Sequence, residues 1–575
     1  MKKELIGDLP VHRGLNLSSE LLTTVILGCF GILVSITYWR YLLVPNSDFP
    51  SFLQTGNELL NLQMPSSFKR APLLGLIQAI VSRFVGGDYP GLVAGCLINA
   101  MMYPLIIVMF YLIAKRFIDN HAAYFALIAS INPDVLNMLT EPLVETSLLW
   151  AILATFILMF KGSPWAFLLA CIASLLRYEG VFLIGIVFVW FFISSPARRD
   201  RFVVMIQAAI AVIPLAVWLA MTFTNWDHSD PTHYIKEAGS QDLYSMLVKY
   251  MSLTWHVGFS NLLTYIESVD GKAVASSHFF IIIPGTVGLL SSLYWSFKYR
   301  RLDSLLLILF LAAYLAVHIW HGFIFDRFCA TIAWIPLMLC WYGLSESSVR
   351  LTDKINKPVL IQTVAPAILI TGACSWIGYL LPEMMRYSVK YSEASRYLPY
   401  MVVTAVVAVF SVNFQRTRKF PGIISTLAVV SIVLLMTASN QFSVATTLGD
   451  GKRDLEFKLL ADWYRQHAKP GEKLATSMPH VVSIFDAEHK EFLVSTGSIK
   501  GDNPFDYLKD LVEQNIRYIA WDSRLGLCKR DRFYILWGMN KIADLSQPRD
   551  IGPFRFLSQI KNKNSLINIF EVVQP

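Results

Sequence analysis

Apolar runs approaching the roughly 20 residues needed to cross a bilayer recur along most of the chain, at 21–43, 90–114, 121–139, 142–160, 164–176, 180–194, 202–224, 279–297, 303–320, 328–344, 358–381, 397–414 and 421–440. They predict about thirteen transmembrane helices, an odd number. The runs at 164–176 and 180–194 are short, so one of them is expected to be a broken or re-entrant segment. Between the first two spans, Phe49, Phe52, Leu53, Gly56, Leu59 and Leu60 recur at helical spacing with Gln54, Asn57 and Glu58 between them, which predicts a helix lying in the membrane interface. A second apolar segment, 72–85, follows Lys69 and Arg70. These two interfacial helices, at 49–85, are placed to roof a cavity at the membrane surface, and the long segment 225–277, with its His, Asp and Tyr residues, to act as a mobile lid.

After residue 440 the pattern changes. An amphipathic helix is predicted at 454–467, a strand start at 473–477, a second helix at 505–514, and strands at 516–521 and 565–573. Alternating helix and strand predict a small α/β module. Phosphate loops, dinucleotide fingerprints and zinc-type cysteine spacings are absent from its sequence. Its single cysteine, Cys528, excludes an internal disulfide, so a hydrophobic core must hold it together.

Composition sharpens the division. The 575-residue chain is 55% hydrophobic and 16% charged, whereas a soluble protein carries about a quarter charged residues. Of its Asp, Glu, Lys and Arg residues, 54 fall in 1–440 and 36 in 441–575, roughly 12% against 27%. The expected fold class is therefore a polytopic α-helical membrane protein, domain 1–440, followed by an extracytoplasmic α/β domain, 441–575. A soluble enzyme, a disordered scaffold and a single-span anchor are excluded.

The net charge of +8 is scattered in short basic clusters between apolar runs, which argues against a nucleic-acid partner. Alternate loops carry Lys115/Arg116, Lys161, Arg198/Arg199/Arg201, Lys298/Arg300/Arg301, Arg350/Lys354/Lys357 and Arg416/Arg418/Lys419, the pattern of the cytoplasmic side. The first span follows Lys2, Lys3 and Arg13 without a small-residue cleavage site, so it reads as a retained anchor with a cytoplasmic N-terminus. An odd span count then puts the tail outside. The sequence Asn16-Leu-Ser18 is an Asn-X-Ser on the cytoplasmic side and none occurs in the outer segments, consistent with a prokaryotic plasma membrane.

Ionisable residues at the ends of spans are expensive and so are functional candidates. Asp48, Glu141, Arg177 and Glu179 all fall on the predicted outer face, with Glu145 one turn beyond Glu141 on the same helix face. Each taken alone also suits a helix end: Glu141 stands at the positive end of a helix, beside Pro142. Three separate loops converging on one side favour a site.

In motif order, Val44-Pro-Asn-Ser-Asp-Phe-Pro50, Phe68-Lys-Arg-Ala-Pro-Leu73, Thr140-Glu-Pro-Leu143 and Leu176-Arg-Tyr-Glu-Gly180 resemble the membrane-embedded C-type glycosyltransferases, in the branch of bacterial and archaeal relatives of dolichyl-phosphate-mannose protein mannosyltransferases and of the lipid A aminoarabinose transferase. The motifs span roughly the first 200 residues, and the architecture matches along the whole chain. The resemblance implies transfer of a sugar, with mannose one option, from a polyprenyl-phosphate donor to a protein, lipid or glycan acceptor outside the cytoplasm, by inverting single displacement. Asp48 matches the family's first-loop aspartate, and Arg177 to Gly180 its Arg-Pro-Glu-Gly pattern, with Tyr178 in place of proline. Such a reaction needs a carboxylate near the acceptor hydroxyl and cations near the phosphate. Asp48 is the candidate general base, and Glu141 is the second catalytic candidate. Arg177, then Arg327 in Phe323-Ile-Phe-Asp-Arg-Phe328, and Lys69 and Arg70 are candidates for the phosphate. Glu141, Glu179, Glu145 and Tyr178 are placed to bind sugar hydroxyls or orient the arginine, and the spans to hold the lipid chain among membrane lipids.

No cofactor is expected. Oligosaccharyltransferases of this family pair two acids in the first loop around a divalent metal, but Asn46 stands two residues before Asp48, so a metal is the weaker reading. His318 and His321 near Asp326 have metal-like spacing, but beside Trp320 they fit headgroup contact better. The rival functions are a flippase or polymerase for lipid-linked sugars, which ordinarily lacks such a tail, and a transporter, whose charges would lie at the midplane of two related halves. A scaffold would leave Asp48, Glu141 and Arg177 without a role.

Overall fold

The computed structural model describes residues 17–39, 48–66, 68–86, 89–130, 133–225, 244, 246–248, 250, 279–318, 328, 330–355, 455–486, 488–522, 536–537, 549–562 and 565–573. The apolar runs at 358–381, 397–414 and 421–440, Arg327, Asn46 and nearly all of the proposed lid lie outside these residues. The chain divides into two compact units, one formed by Met1–Arg40, Thr55–Ile77 and Cys96–Gln441, the other by Tyr41–Gln54, Gln78–Gly95 and Phe442–Pro575.

The first-loop helices are α2 (Phe49–Leu60) and α3 (Pro72–Ser82), as the spacing of their apolar residues predicts. The first unit is otherwise helical among the described residues: α1 (Leu17–Trp39), α4 (Pro90–Ile118), α5 (Ala122–Ser130), α6 (Pro133–Thr140), α7 (Val144–Phe160), α8 (Trp165–Leu176), α9 (Val181–Ser194), α10 (Arg198–Asn225), α11 (Phe279–Lys298), α12 (Leu302–His318) and α13 (Trp334–Ile355). By length and composition α4 and α10 are long and apolar enough to cross a membrane. On α10, Phe202, Ile206, Ile210, Ile213 and Val217 are exposed in one stripe, and α1 exposes Leu21, Leu22, Val25, Ile32 and Ile36. Apolar stripes of this size suit a hydrocarbon solvent rather than water.

Two runs fold differently from single spans. The run 121–139 is carried by α5 and α6, with Pro133 opening the second; proline is favoured at that first position because it has no N–H to lose. The runs at 164–176 and 180–194 become the short helices α8 and α9, stacked antiparallel through Phe167 and Phe191 with ring centroids 5.8 Å apart. At 12 and 14 residues each is about 18–21 Å long, short of a 30 Å hydrocarbon core. Their hairpin tip is the Arg177 turn.

α7 is buried nearly all round. Glu145 lies in its first turn and Phe160 ends it, about 22 Å along the axis. At the Phe160 end, the Arg116 guanidinium lies 4.7 Å from that ring and its Nε donates to Asp303 (2.9 Å), which also accepts from Arg301. Two basic clusters far apart in sequence thus meet on one buried carboxylate.

Among the described residues of the second unit a five-stranded sheet has the order β2-β1-β3-β5-β4, with β1 (Lys473–Thr476) parallel to β2 (Leu493–Ser495) and β3 (Ile516–Asp522), and β5 (Ser565–Val572) antiparallel to β3 and β4 (Phe554–Asn562). Because side chains alternate across a strand, Leu474, Tyr518, Ala520, Ile567 and Ile569 point to one face, against α14 (Leu455–His467) and α15 (Pro479–Phe485). Ala475, Ile519, Trp521 and Phe570 point to the other, against Tyr507 and Leu511 of α16 (Pro504–Glu513). The expected helices and strands are present; β2, β4 and α15 are additional.

Tyr518 donates to Glu472 Oε2 at 2.9 Å. Burial, reinforced by that bond to a carboxylate, pushes its hydroxyl up to about 12 from the ordinary 10. The folded state then holds this proton more tightly than the unfolded chain, so stability from this group is complete below pH 10 and is lost as pH rises towards 12. Thermal melts from pH 8 to 12 should fall less steeply for Tyr518→Phe than for wild type; parallel curves would remove the tyrosine from the linkage.

Candidate active site

The break between α8 and α9 positions the site. α8 ends at Leu176, Arg177 is extended (φ −148°, ψ 143°), and Tyr178–Gly180 form one 3-10 turn before α9. Gly180 makes that geometry possible: a Cβ there would stand 2.3 Å from the carbonyl carbon and oxygen of Ala173, so any other residue would push the turn off the end of α8. The turn brings Glu179 back onto Arg177, with Nη2 donating to Oε1 at 2.8 Å and Nε to Oε2 at 3.3 Å. From α7, Glu145 Oε1 accepts from Arg177 Nη1 at 3.3 Å. Both carboxylates are about 95% buried. Three of the five guanidinium N–H groups are thus directed at two acids, in a fork that lysine could not reproduce.

Aromatic groups complete the setting. The Arg177 guanidinium lies over the Phe328 ring at 4.2 Å, and Phe328 stacks on His318 of α12 at 5.3 Å. His318 Nε2 stands 3.5 Å from Glu179 Oε1, and Tyr314, whose hydroxyl donates to the Phe328 carbonyl at 3.2 Å, packs on the imidazole. Sequence reasoning assigned His318 to headgroup contact; the fold instead buries it beside Glu179. Its signal in the sequence was its place one turn after Tyr314 on an apolar helix. Phe328 and Trp218 carried no signal.

Tyr178, in the position where the family pattern has proline, accepts a hydrogen bond from Trp218 Nε1 (3.2 Å) and donates to the Phe68 carbonyl (3.4 Å), while Phe68 packs on Trp218 at 5.3 Å. Lys69 and Arg70, both half-buried, therefore follow directly on the residue that anchors Tyr178. Glu141 lies in the turn between α6 and α7, its carbonyl accepting from the buried Asn99 amide at 2.5 Å; the same amide reaches Met138 O at 3.0 Å. Asn99, unremarked in the sequence, fixes the entry to α7 and so the Glu145 turn. Asp48 belongs to the second unit, half-buried at the start of α2, where its carbonyl accepts from Ser51 N (3.2 Å) and Oγ (2.8 Å). The structure thus joins Arg177, Glu179, Glu145 and His318, and links Tyr178 to the Phe68-Lys69-Arg70 stretch.

Gly180→Ala should lower stability by roughly 1–3 kcal/mol, the cost of overpacking, read as a lower melting temperature in detergent. An unchanged melt would mean the turn is free to move.

No protein-family model matches the chain, and no characterised protein matches it by sequence. Solved structures do match. ArnT from Cupriavidus metallidurans bound to undecaprenyl phosphate superposes with a TM-score of 0.53 at 13% identity, covering 96% of this chain and 99% of ArnT. Its apo state gives 0.52 at 12% identity, with the same coverage. The Archaeoglobus fulgidus oligosaccharyltransferase AglB, in complex with an inhibitory peptide and a dolichol-phosphate, gives 0.47 at 12% identity, over 89% of this chain and 71% of AglB. The chain therefore shares the fold of ArnT along nearly its whole length: a largely helical part with a C-terminal domain that contains a small sheet.

Proposed function

We propose that the protein is an integral-membrane glycosyltransferase that moves a sugar from a polyprenyl-phosphate donor to a protein, lipid or glycan acceptor outside the cytoplasm. The observation that carries this reading is the buried Arg177 fork at a helix break, in a chain that follows nearly the whole length of a protein crystallised with undecaprenyl phosphate. Guanidinium groups held rigidly by carboxylates are preorganised for phosphate oxygens. In this reading Glu145 and Glu179 fix the plane of Arg177, and its two remaining N–H groups, with the charges of Lys69, Arg70 and Arg327, take the donor phosphate. The acceptor oxygen attacks the anomeric carbon as the bond from that carbon to the phosphate oxygen breaks. Asp48 accepts the hydroxyl proton, the lipid phosphate leaves with the bonding pair, and one displacement inverts the anomeric centre.

Glu141 and Tyr178 are proposed to contact the sugar. The N-terminus is assigned to the cytoplasm, domain 441–575 to the outside of a prokaryotic plasma membrane, and the transfer is proposed to proceed without a divalent metal, so EDTA should leave the rate unchanged. The deciding experiment is mass spectrometry of lipid that copurifies with the protein: polyprenyl phosphate, free or sugar-linked, is expected. Recovery of bulk phospholipid alone, together with no protection from melting by added undecaprenyl phosphate, would sink the proposal.

A further inference from the structure

The second unit contains an arrangement that the proposed chemistry leaves unexplained: Tyr41–Gln54 and Gln78–Gly95, both from the first loop, are compact with the C-terminal α/β domain. Three contacts join them. The Tyr89 ring meets Phe485 of α15 edge-on, with centroids 5.1 Å apart, and packs against the hydrophobic core to which Phe485 belongs. Lys490 Nζ reaches Gln54 Oε1 at 3.5 Å. Two residues beyond Tyr89, Gly91 at the start of α4 lies so close to α2 that a Cβ there would stand 2.3 Å from Leu53 Cδ2. Leu53 and Gln54 lie on the α2 turn after Asp48, whose carbonyl anchors the helix start through Ser51.

We infer that Tyr89 and Phe485 are positioning residues, through which the C-terminal domain holds the Tyr89–Gly91 segment against α2 and so fixes the carboxylate of Asp48. The inference rests on the assignment of Asp48 as base. The physical link is continuous. Phe485, in a core with Val481, Val482 and Tyr464, is rigid because interiors are close-packed. Tyr89 is seated on that core, and the close contact of Leu53 with the bare α4 backbone at Gly91, two residues along, passes any shift of Tyr89 to α2. A base must meet its proton within hydrogen-bond reach, and displacement of a reacting group by about 1 Å costs on the order of a hundredfold in rate. The tail then contributes to turnover without touching substrate.

The test uses the full-length protein in nanodiscs. Transfer from undecaprenyl-phosphate mannose, glucose and aminoarabinose to acceptor hydroxyls supplied by a membrane extract is read as release of undecaprenyl phosphate, with binding of undecaprenyl phosphate and the melting temperature measured in parallel. Tyr89→Ala and Phe485→Ala should each lower kcat roughly ten- to a hundredfold, leave KM and undecaprenyl phosphate binding near wild type, and be no worse when combined. Tyr89→Phe, which keeps the ring, should restore turnover. Full turnover in both alanine variants, with Asp48→Asn inactive, overturns the positioning role and leaves the transferase reading standing. A parallel loss of lipid-phosphate binding or of folded protein, unrepaired by Tyr89→Phe and Phe485→Leu, also overturns it, since the contact would then be only structural. Activity in Asp48→Asn itself refutes the base assignment, and with it the inference.

Discussion

Asp48→Asn is expected to lower sugar transfer by roughly 10²–10⁴-fold, the range that a positioned general base contributes, while undecaprenyl phosphate binding and the melting temperature stay near wild type. The substitution keeps the shape of the side chain and removes its basicity. The Ser51 bonds that start α2 go to the Asp48 carbonyl, which the substitution keeps. Asp48→Glu should recover part of the rate, since it keeps a base but moves it by one methylene. A rate for the asparagine variant within a fewfold of wild type would transfer the proton-accepting role to another group or to water.

Arg177→Ala is expected to do the largest structural damage. Removing the guanidinium leaves Glu145 and Glu179, each about 95% buried, without the partner that all three described arginine bonds supply. Breaking one side of a buried ion pair costs about 3–5 kcal/mol, a large share of the 5–15 kcal/mol that holds a folded domain together. The variant should accumulate poorly and melt well below wild type. Structural and chemical roles are separated by removing all the charges: with Glu145→Gln, Glu179→Gln and Arg177→Gln combined, much of the stability should return, because no orphaned charge remains. Affinity for undecaprenyl phosphate should not return. If the neutral triple variant bound the lipid phosphate as tightly as wild type, Arg177 would be a structural lock and the phosphate site would lie elsewhere.

These two experiments bear on residues that were legible for different reasons. Asp48, Glu141, Arg177 and Glu179 stand out in sequence because ionisable groups are rare among apolar runs. Glu145 stands out because helical spacing puts it on the face of Glu141. What Arg177 bonds to is a different matter. The Glu179 contact is local, set by the 3-10 turn that Gly180 allows, whereas the Glu145 and His318 contacts join α7, the α8–α9 hairpin and α12, which are 32 and well over a hundred residues apart along the chain. In sequence His318 suits headgroup contact because Trp320 stands two residues on. Packing against Phe328 and Tyr314 decided otherwise.

The tail shows the same division. Period-2 and period-3.6 apolar patterns located α14, α16, β1, β3 and β5 within a residue or two, since those patterns follow directly from backbone geometry. They did not reveal β4, whose alternation is broken at Leu557-Ser558, where its pairing with β5 shifts register, nor the three-residue β2. They could not give the strand order, which depends on which apolar faces find each other.

The sequence by itself determined the apolar, helical character of the long N-terminal part and the α/β character of the tail, and it singled out a short set of charges as candidates for chemistry. Hydrophobic periodicity and the cost of burying charge are properties of local segments, so one chain suffices to read them. Only the tertiary structure decided that Arg177 is held between two carboxylates, that Tyr178 answers to Phe68 and Trp218, and that Tyr89 of the first loop belongs with the core of the C-terminal domain. Those are pairings between distant segments, and what selects among them is mutual packing, which no local pattern contains.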